Sequence, residues 1–346
     1  MKISKKKDFI AISTKLWQYL DQYTRKAKLP LKYTDLFRYK ESFPVLDKNG
    51  QDTLWDSLIY DQTTEAELKQ NLAIVYALLK TESHVEIVDH LQAERIDYCN
   101  FGNSHPFRVK IVNLLNDNYD YMYIKRPDAS RVYGLELEHL LSPNYISYLV
   151  DEDTLVEEHI AGIPGDQFIR DYFSTPNFNK VRFAKEFIKF NERCFVRLLG
   201  DMRAYNFVVD VTPDFEDEQY RIRAIDFDQQ SYEGHKSVYL PQYFKENNPI
   251  IKMGMEFINV DTTKQYQYEE RTLIARRLNI QSERLHYLLD CMRKDQISRQ
   301  SKVEELKKEL NQFLKTKEYN SCKNMGDVLE VNLRLMLSDH IRRLEV

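Results

Sequence analysis

The chain has 346 residues, with 50 Lys and Arg against 54 Asp and Glu and a formal net charge of -4. That balance excludes a general nucleic-acid reader, while 42% hydrophobic and 30% charged residues are ordinary for a folded protein of two lobes. No stretch approaches the ~20 apolar residues that span a bilayer, and Cys99, Cys194, Cys291 and Cys322 form no C-x-x-C pair, so buried free thiols in a reducing, cytoplasmic setting are expected.

Residues 1–92 read as a helical N-terminal extension. Phe9, Ile10, Ile12, Leu16, Trp17 and Leu20 carry helical periodicity, as do Leu68, Leu72, Ile74, Val75, Leu78 and Leu79. A turn-rich stretch around Pro44 and Asp47-Lys48-Asn49-Gly50 separates them. From Arg95 the pattern becomes strand-like: 95–100, 107–113 and 119–125 are β-rich runs divided by short polar turns. A helix is predicted over 130–141, capped by Asp128 or Ser130 and stopped by Pro143. Two further strands, 145–150 and 154–160, flank the acidic turn Asp151-Glu152-Asp153. Five antiparallel strands with one helix make a small α+β lobe over 93–160.

Beyond Pro164-Gly165 the chain turns helical, and 161–346 reads as a second, mostly helical lobe. A long buried helix is predicted over 180–199, ending at Gly200. Short strands at 207–209 and 220–225 flank a polar hairpin, Thr212 to Glu218. They bring together two acidic clusters, Gly200-Asp201-Met202-Arg203-Ala204-Tyr205-Asn206 and Ala224-Ile225-Asp226-Phe227-Asp228. Phosphoryl transfer needs this set of residue types: one Asp orients the attacking hydroxyl, while an Asn and a second Asp hold Mg2+ against nucleotide phosphates. Asp201 is then the base, Asn206 and Asp226 the metal ligands, and Asp228 an assisting carboxylate. As isolated strings these residues would be ordinary surface turns; their order and spacing set them apart.

Four segments in order resemble the protein-kinase-like fold, and within it the aminoglycoside phosphotransferase and choline kinase branch. They are Tyr121-Met122-Tyr123-Ile124-Lys125, Leu155 to Gly165 with its Gly162-Ile163-Pro164-Gly165 tail, Gly200-Asp201 to Asn206, and Ile225-Asp226-Phe227-Asp228. The resemblance covers roughly 93–232. It implies a bilobal α+β fold binding ATP between lobes, with Lys125 gripping the phosphates and held by an acidic partner from the following helix. Glu136 and Glu138 lie two residues apart and point in different directions; Glu136, sharing a face with Val132, Tyr133 and Leu140, is preferred. Adenine is expected against the hinge backbone at Glu158, His159 and Ile160, with Ser104 and nearby amides near the phosphates.

The chain departs from that family at three places. The loop Phe101 to Phe107 carries one glycine, Gly102; Leu199 stands where the usual His precedes the catalytic Asp; and no long activation segment follows Asp228, which argues against a regulated protein kinase. The expected activity is ATP- and Mg-dependent phosphotransfer to a hydroxyl of a small molecule or protein. A pseudokinase and a kinase-like AMP transferase are the alternatives. Arg203, Gln229, Gln230, Tyr232, His235 and Lys236 are candidate walls of the acceptor pocket, and the acidic hairpin 214–218 a candidate attractor for a cationic acceptor.

Overall fold

A computed structural model of the chain describes residues 7–47, 49–81, 89–101, 104–176, 178–215 and 217–344. Lys48, Gly102, Asn103 and Glu216, which figure in the expectations above, lie outside the described residues. The architecture is mixed α+β, and it divides into two compact units, Met1–Asp128 with Ile146–His159, and Ala129–Tyr145 with Ile160–Val346.

The first unit opens with α1 (Thr14–Gln22), whose N-cap Ser13 accepts the Leu16 N–H at 3.2 Å. Next come β1 (Glu41–Leu46), β2 (Asp52–Ile59), α2 (Gln62–Thr81), β3 (Leu91–Tyr98), β4 (Phe107–Asn113) and β5 (Tyr119–Lys125). After α3 (Ala129–Leu141), which belongs to the second unit, the chain returns with β6 (Tyr148–Asp151) and β7 (Thr154–Glu158). The strands form one antiparallel sheet in the order β1-β2-β3-β4-β5-β7-β6. Alternate residues Phe107, Val109 and Ile111 of β4 and Met122 and Ile124 of β5 are buried, the period-two burial of a strand with one face on a core. Leu68, Leu72, Val75 and Leu79 of α2 join the same cluster at helical spacing.

The helical reading of 1–92 is corrected here: its middle is a β-hairpin, and the expected five-stranded sheet has seven strands. The turn chemistry was visible, since Asp47 Oδ1 accepts the N–H groups of Asn49 and Gln51 at 2.8 and 2.9 Å and Gly50 sits at φ 76°. The strands were not, because β1 is exposed along nearly its whole length and so lacks the alternation that marks a half-buried strand.

The second unit adds β8 (Ile163–Pro164), α4 (Gly165–Asp171), α5 (Lys180–Arg197), β9 (Phe207–Asp214), β10 (Asp217–Ala224), α6 (Asn248–Phe257), α7 (Val260–Ile280), α8 (Ser282–Lys294), α9 (Gln300–Leu314) and α10 (Met325–Leu344). A three-stranded sheet, β10-β9-β8, carries the candidate loops at its end. Helix α5 is the hub, packing on α6, α7, α10 and β10 through Phe183, Phe187, Phe190 and Cys194. Helix α3, assigned by sequence to the small lobe, packs on α7 and α8 with every residue but His139 buried. Burying its charges requires partners: Glu136 accepts from Arg284 at 2.7 Å, and Glu138 accepts from Arg197 and, at 3.0 Å, from Asn144. All four cysteines are buried and free, as expected; burial pushes the Cys194 thiol up to about 12. Among the described residues no helix is long and apolar enough to cross a membrane.

Candidate active site

Helix α5 stops at Arg197 because Leu198 turns left-handed, at φ 52° and ψ 45°. The sequence placed that stop at Gly200, the usual residue for such a cap. A leucine tolerates the conformation because its surroundings hold it. Gln230 Nε2 donates to the carbonyls of Arg197 and Leu198 at 2.6 and 3.2 Å, and the Ser231 N–H donates to Leu198 at 2.9 Å. Leu199 forms a bridge with Gln230 and is 1% exposed, so it anchors one loop to the other. Gly200 serves close approach instead: a Cβ there would lie 3.0 Å from both the Gln229 carbonyl and Val238 Cγ1.

Asp201 follows in the left-handed region at φ 61°, which Asp tolerates better than most residues. Its N–H donates to Val238 O at 3.0 Å. Its carbonyl accepts the Arg203 N–H at 2.8 Å and Asn206 Nδ2 at 2.7 Å. The second bond sets the Asn206 amide: with its NH2 given to the Asp201 carbonyl, Oδ1 is turned to the other side. The Asp201 carboxylate accepts from Arg203 Nε at 2.7 Å, and Arg203 Nη1 reaches Glu246 at 2.9 Å. Burial raises the Asp201 carboxyl above the usual aspartate range, with the Arg203 hydrogen bond and charge opposing.

The second acidic cluster is brought in by the β9–β10 register. Ala224 pairs with Phe207, and one step on the Ile225 N–H donates to Asn206 O at 3.0 Å. The loop ending at Asn206 and the segment opening at Ile225 therefore lie at the same end of the hairpin. Helix α3 then clamps the segment after Asp226. Ser130, expected as a helix cap, instead donates its Oγ–H towards the carbonyls of Asp228 and Gln230 at 3.0 and 2.9 Å. Gly134 lies so close that an added Cβ would meet Phe227 Cβ at 2.9 Å. Arg131 Nη1 donates to Asp226 Oδ1 at 3.0 Å and Asp228 Oδ1 at 2.9 Å. Sequence reasoning missed all three contacts; the sole signal was an arginine in an otherwise apolar helical turn.

In the first unit Lys125 Nζ bonds Glu157 of the adjacent strand at 3.1 Å, and both side chains are under a tenth exposed. Glu136, expected to hold Lys125, is in the second unit with Arg284 as a partner. At the segment expected to meet adenine, the N–H groups of Glu158 and His159 donate to Ser147 O at 3.0 Å and Tyr121 O at 3.2 Å. Burial keeps the His159 imidazole below its usual range. Ile160 is buried and belongs to the second unit. Ser104 lies in the β3–β4 loop, closed by the Cys99 N–H to Pro106 O bond at 3.0 Å.

Of the candidate acceptor walls, Gln230 is structural, and His235 faces α9, with Nδ1 2.9 Å from Glu309. The Lys236 N–H donates to that same carboxylate at 2.8 Å. In the acidic hairpin, Arg182 of α5 pairs with Asp214 at 3.1 Å and Asp217 at 3.2 Å. No protein-family model matches the chain, and no curated protein matches it.

Proposed function

We propose that the protein is an ATP- and Mg-dependent phosphotransferase of the protein-kinase-like class, acting on a hydroxyl of a small molecule or protein. The observation that carries this reading is the pinning of the Asn206 amide to the Asp201 carbonyl, with Ile225 bonded to Asn206. Those bonds tie the loop carrying Asp201 and Asn206 to the segment leading into Asp226. Oxygen donors are what Mg2+ takes, so the donor set fits: Asn206 Oδ1 and the Asp226 carboxylate would hold the ion, which when bound neutralises phosphate charge. Asp201 orients the acceptor hydroxyl and receives its proton as the oxygen attacks the γ-phosphorus and the bond to the β,γ-bridging oxygen breaks. A carboxyl held above the ordinary range is a better proton acceptor. The reading assigns phosphate contact to Lys125.

A pseudokinase is the second reading, favoured by the grip of Arg203 on Asp201 and by the committed hinge donors. Thermal-shift and calorimetric titrations of wild type and Asp226→Ala with ATP, with and without Mg2+, test the nucleotide site. The proposal expects a Mg-dependent response in wild type alone; none in either sinks it. Transfer of label from γ-labelled rather than α-labelled ATP separates phosphotransfer from AMP transfer, and Asp201→Ala is expected to abolish transfer while keeping nucleotide binding.

A further inference from the structure

The Arg131 guanidinium stands on the two carboxylates of the proposed metal motif. One nitrogen, Nη1, reaches Asp226 Oδ1 at 3.0 Å and Asp228 Oδ1 at 2.9 Å. The Asp228 N–H also donates to Asp226 Oδ1 at 3.1 Å, so that oxygen receives two donors. The arginine side chain is 2% exposed, against 36% for Asp226 and 15% for Asp228. It is anchored on α3 between Ser130, which donates to the Asp228 and Gln230 carbonyls, and Gly134, which lies against Phe227. Two carboxylates two residues apart would otherwise form a strongly anionic pair able to draw a free divalent cation from solution. A fixed, permanently charged guanidinium a few ångströms away repels that cation and occupies the carboxylate oxygens it would take.

We propose that Arg131 is a resident counter-cation that makes the Asp226–Asp228 pair a poor site for free divalent ions, so that the ion is taken only with the phosphates of a nucleotide. This rests on the metal assignment made under the proposed function and adds its regulation: charge from the nucleotide, not the protein alone, completes the site. Arg131 acts through the carboxylates and is a positioning residue. The sign of its effect on metal affinity separates this role from a merely structural one. An arginine that only holds carboxylates in place would, when removed, weaken metal binding. A counter-cation, when removed, tightens it.

The test is a titration of nucleotide-free protein with Mn2+ alone, read by electron paramagnetic resonance of the free ion. Arg131→Gln is expected to bind Mn2+ about tenfold or more tightly than wild type, as removal of a like charge at this range predicts. The double variant Arg131→Gln with Asp228→Asn is expected to return towards the wild-type level. Equal or weaker binding by Arg131→Gln overturns the proposal, as does tight Mn2+ binding by nucleotide-free wild type. Should Arg131→Gln fail to fold by itself, millimolar Mn2+ or Mg2+ is expected to restore its folded circular-dichroism signal, and NaCl at equal ionic strength is not; failure of the divalent ions to do so overturns it equally. The outcome is separable from the phosphotransferase reading. Tightened Mn2+ binding in a protein indifferent to ATP would keep the counter-cation and discard the kinase, and a normal Mg-ATP response with unchanged Mn2+ affinity would do the reverse.

Discussion

The two units neutralise their buried charges in different ways. In the first, two of the buried pairs join neighbouring strands, while Lys7 and Asp128 pair across 121 residues. Asp97 of β3 is register partner to Arg108 of β4, 11 residues away, with bonds of 3.0 and 2.7 Å. Lys125 likewise finds Glu157 on neighbouring β7. In the second, partners lie on elements remote in sequence: Glu138 with Arg197 across 59 residues, Arg131 with Asp226 across 95, and Glu136 with Arg284 across 148. Sheet register fixes ion pairs almost as a by-product of strand pairing. A helical assembly must specify them through tertiary packing, and the candidate catalytic machinery lies in that kind of assembly.

The largest expected effect probes the chemistry in the second unit. Asp201→Asn is expected to lower phosphotransfer by about 10²–10⁴-fold, the usual contribution of a positioned base, with Mg-ATP binding by calorimetry unchanged. Loss of nucleotide binding in that variant would mean that Asp201 organises the loop instead of accepting a proton.

Next in size is the contrast between the two kinds of ion pair. Glu138→Gln, which leaves buried Arg197 without its carboxylate, is expected to cost about 3–5 kcal/mol in chemical denaturation. Asp97→Asn, whose partner Arg108 is partly exposed, is expected to cost about 1.5–3 kcal/mol, the range for charge-assisted hydrogen bonds. Equal losses would erase the distinction. The Glu138 pair also has a pH signature. Burial pushes its carboxyl up, but Arg197 and bonds from Ser142 and Asn144 outweigh that and hold it below the usual glutamate range. Its stabilisation is therefore full above the unfolded-state value and fades as pH falls through the lower folded one, a loss the Gln variant should lack.

Gly134→Ala sharpens the role of α3. Alanine would gain up to ~1 kcal/mol of helix propensity, yet its Cβ would press on Phe227 at 2.9 Å and on the Phe227 carbonyl at 3.1 Å. Overpacking at such a site costs about 1–3 kcal/mol, so net destabilisation with a weakened Mg-ATP thermal shift is expected. A stabilised variant with an intact shift would show that the clamp on the metal motif is slack.

The smallest effect concerns His235, whose imidazole is raised above its usual range by its hydrogen bond to Glu309, with the charges of Glu305 and Glu309 adding to it. The pair contributes stability below the unfolded-state value that is lost as pH rises through the folded one. Being largely solvent-exposed, it is screened. His235→Gln should flatten a shallow decline in melting temperature near neutrality and leave acid stability slightly reduced.

Much of the fold was legible because local patterns agreed with the tertiary result. The strands at 107–113 and 119–125 were read residue for residue, since their alternation records one buried face. The hairpin β1–β2 was missed because an exposed edge strand leaves no such record, even with its turn residues in view. In the candidate site, the pairing of the segments that follow Asn206 and precede Asp226 was legible because one β-hairpin joins them. The sequence assigned α3 to the smaller lobe, whereas it falls in the second unit and packs on α7 and α8.

The sequence by itself determined part of the regular structure, the strands at 107–113 and 119–125 among it, the buried thiols and the hairpin that joins the two acidic loops, because each follows from periodicity or from short-range connection. Only the tertiary structure decided that Leu198 rather than Gly200 turns the chain, that Asp201 is paired with Arg203 and Arg203 with Glu246, and that Arg131 sits on Asp226 and Asp228. Apart from the Asp201–Arg203 bond, which spans two residues, those choices depend on contacts between residues far apart in the chain, where the loss of solvation selects the partner and no local pattern can.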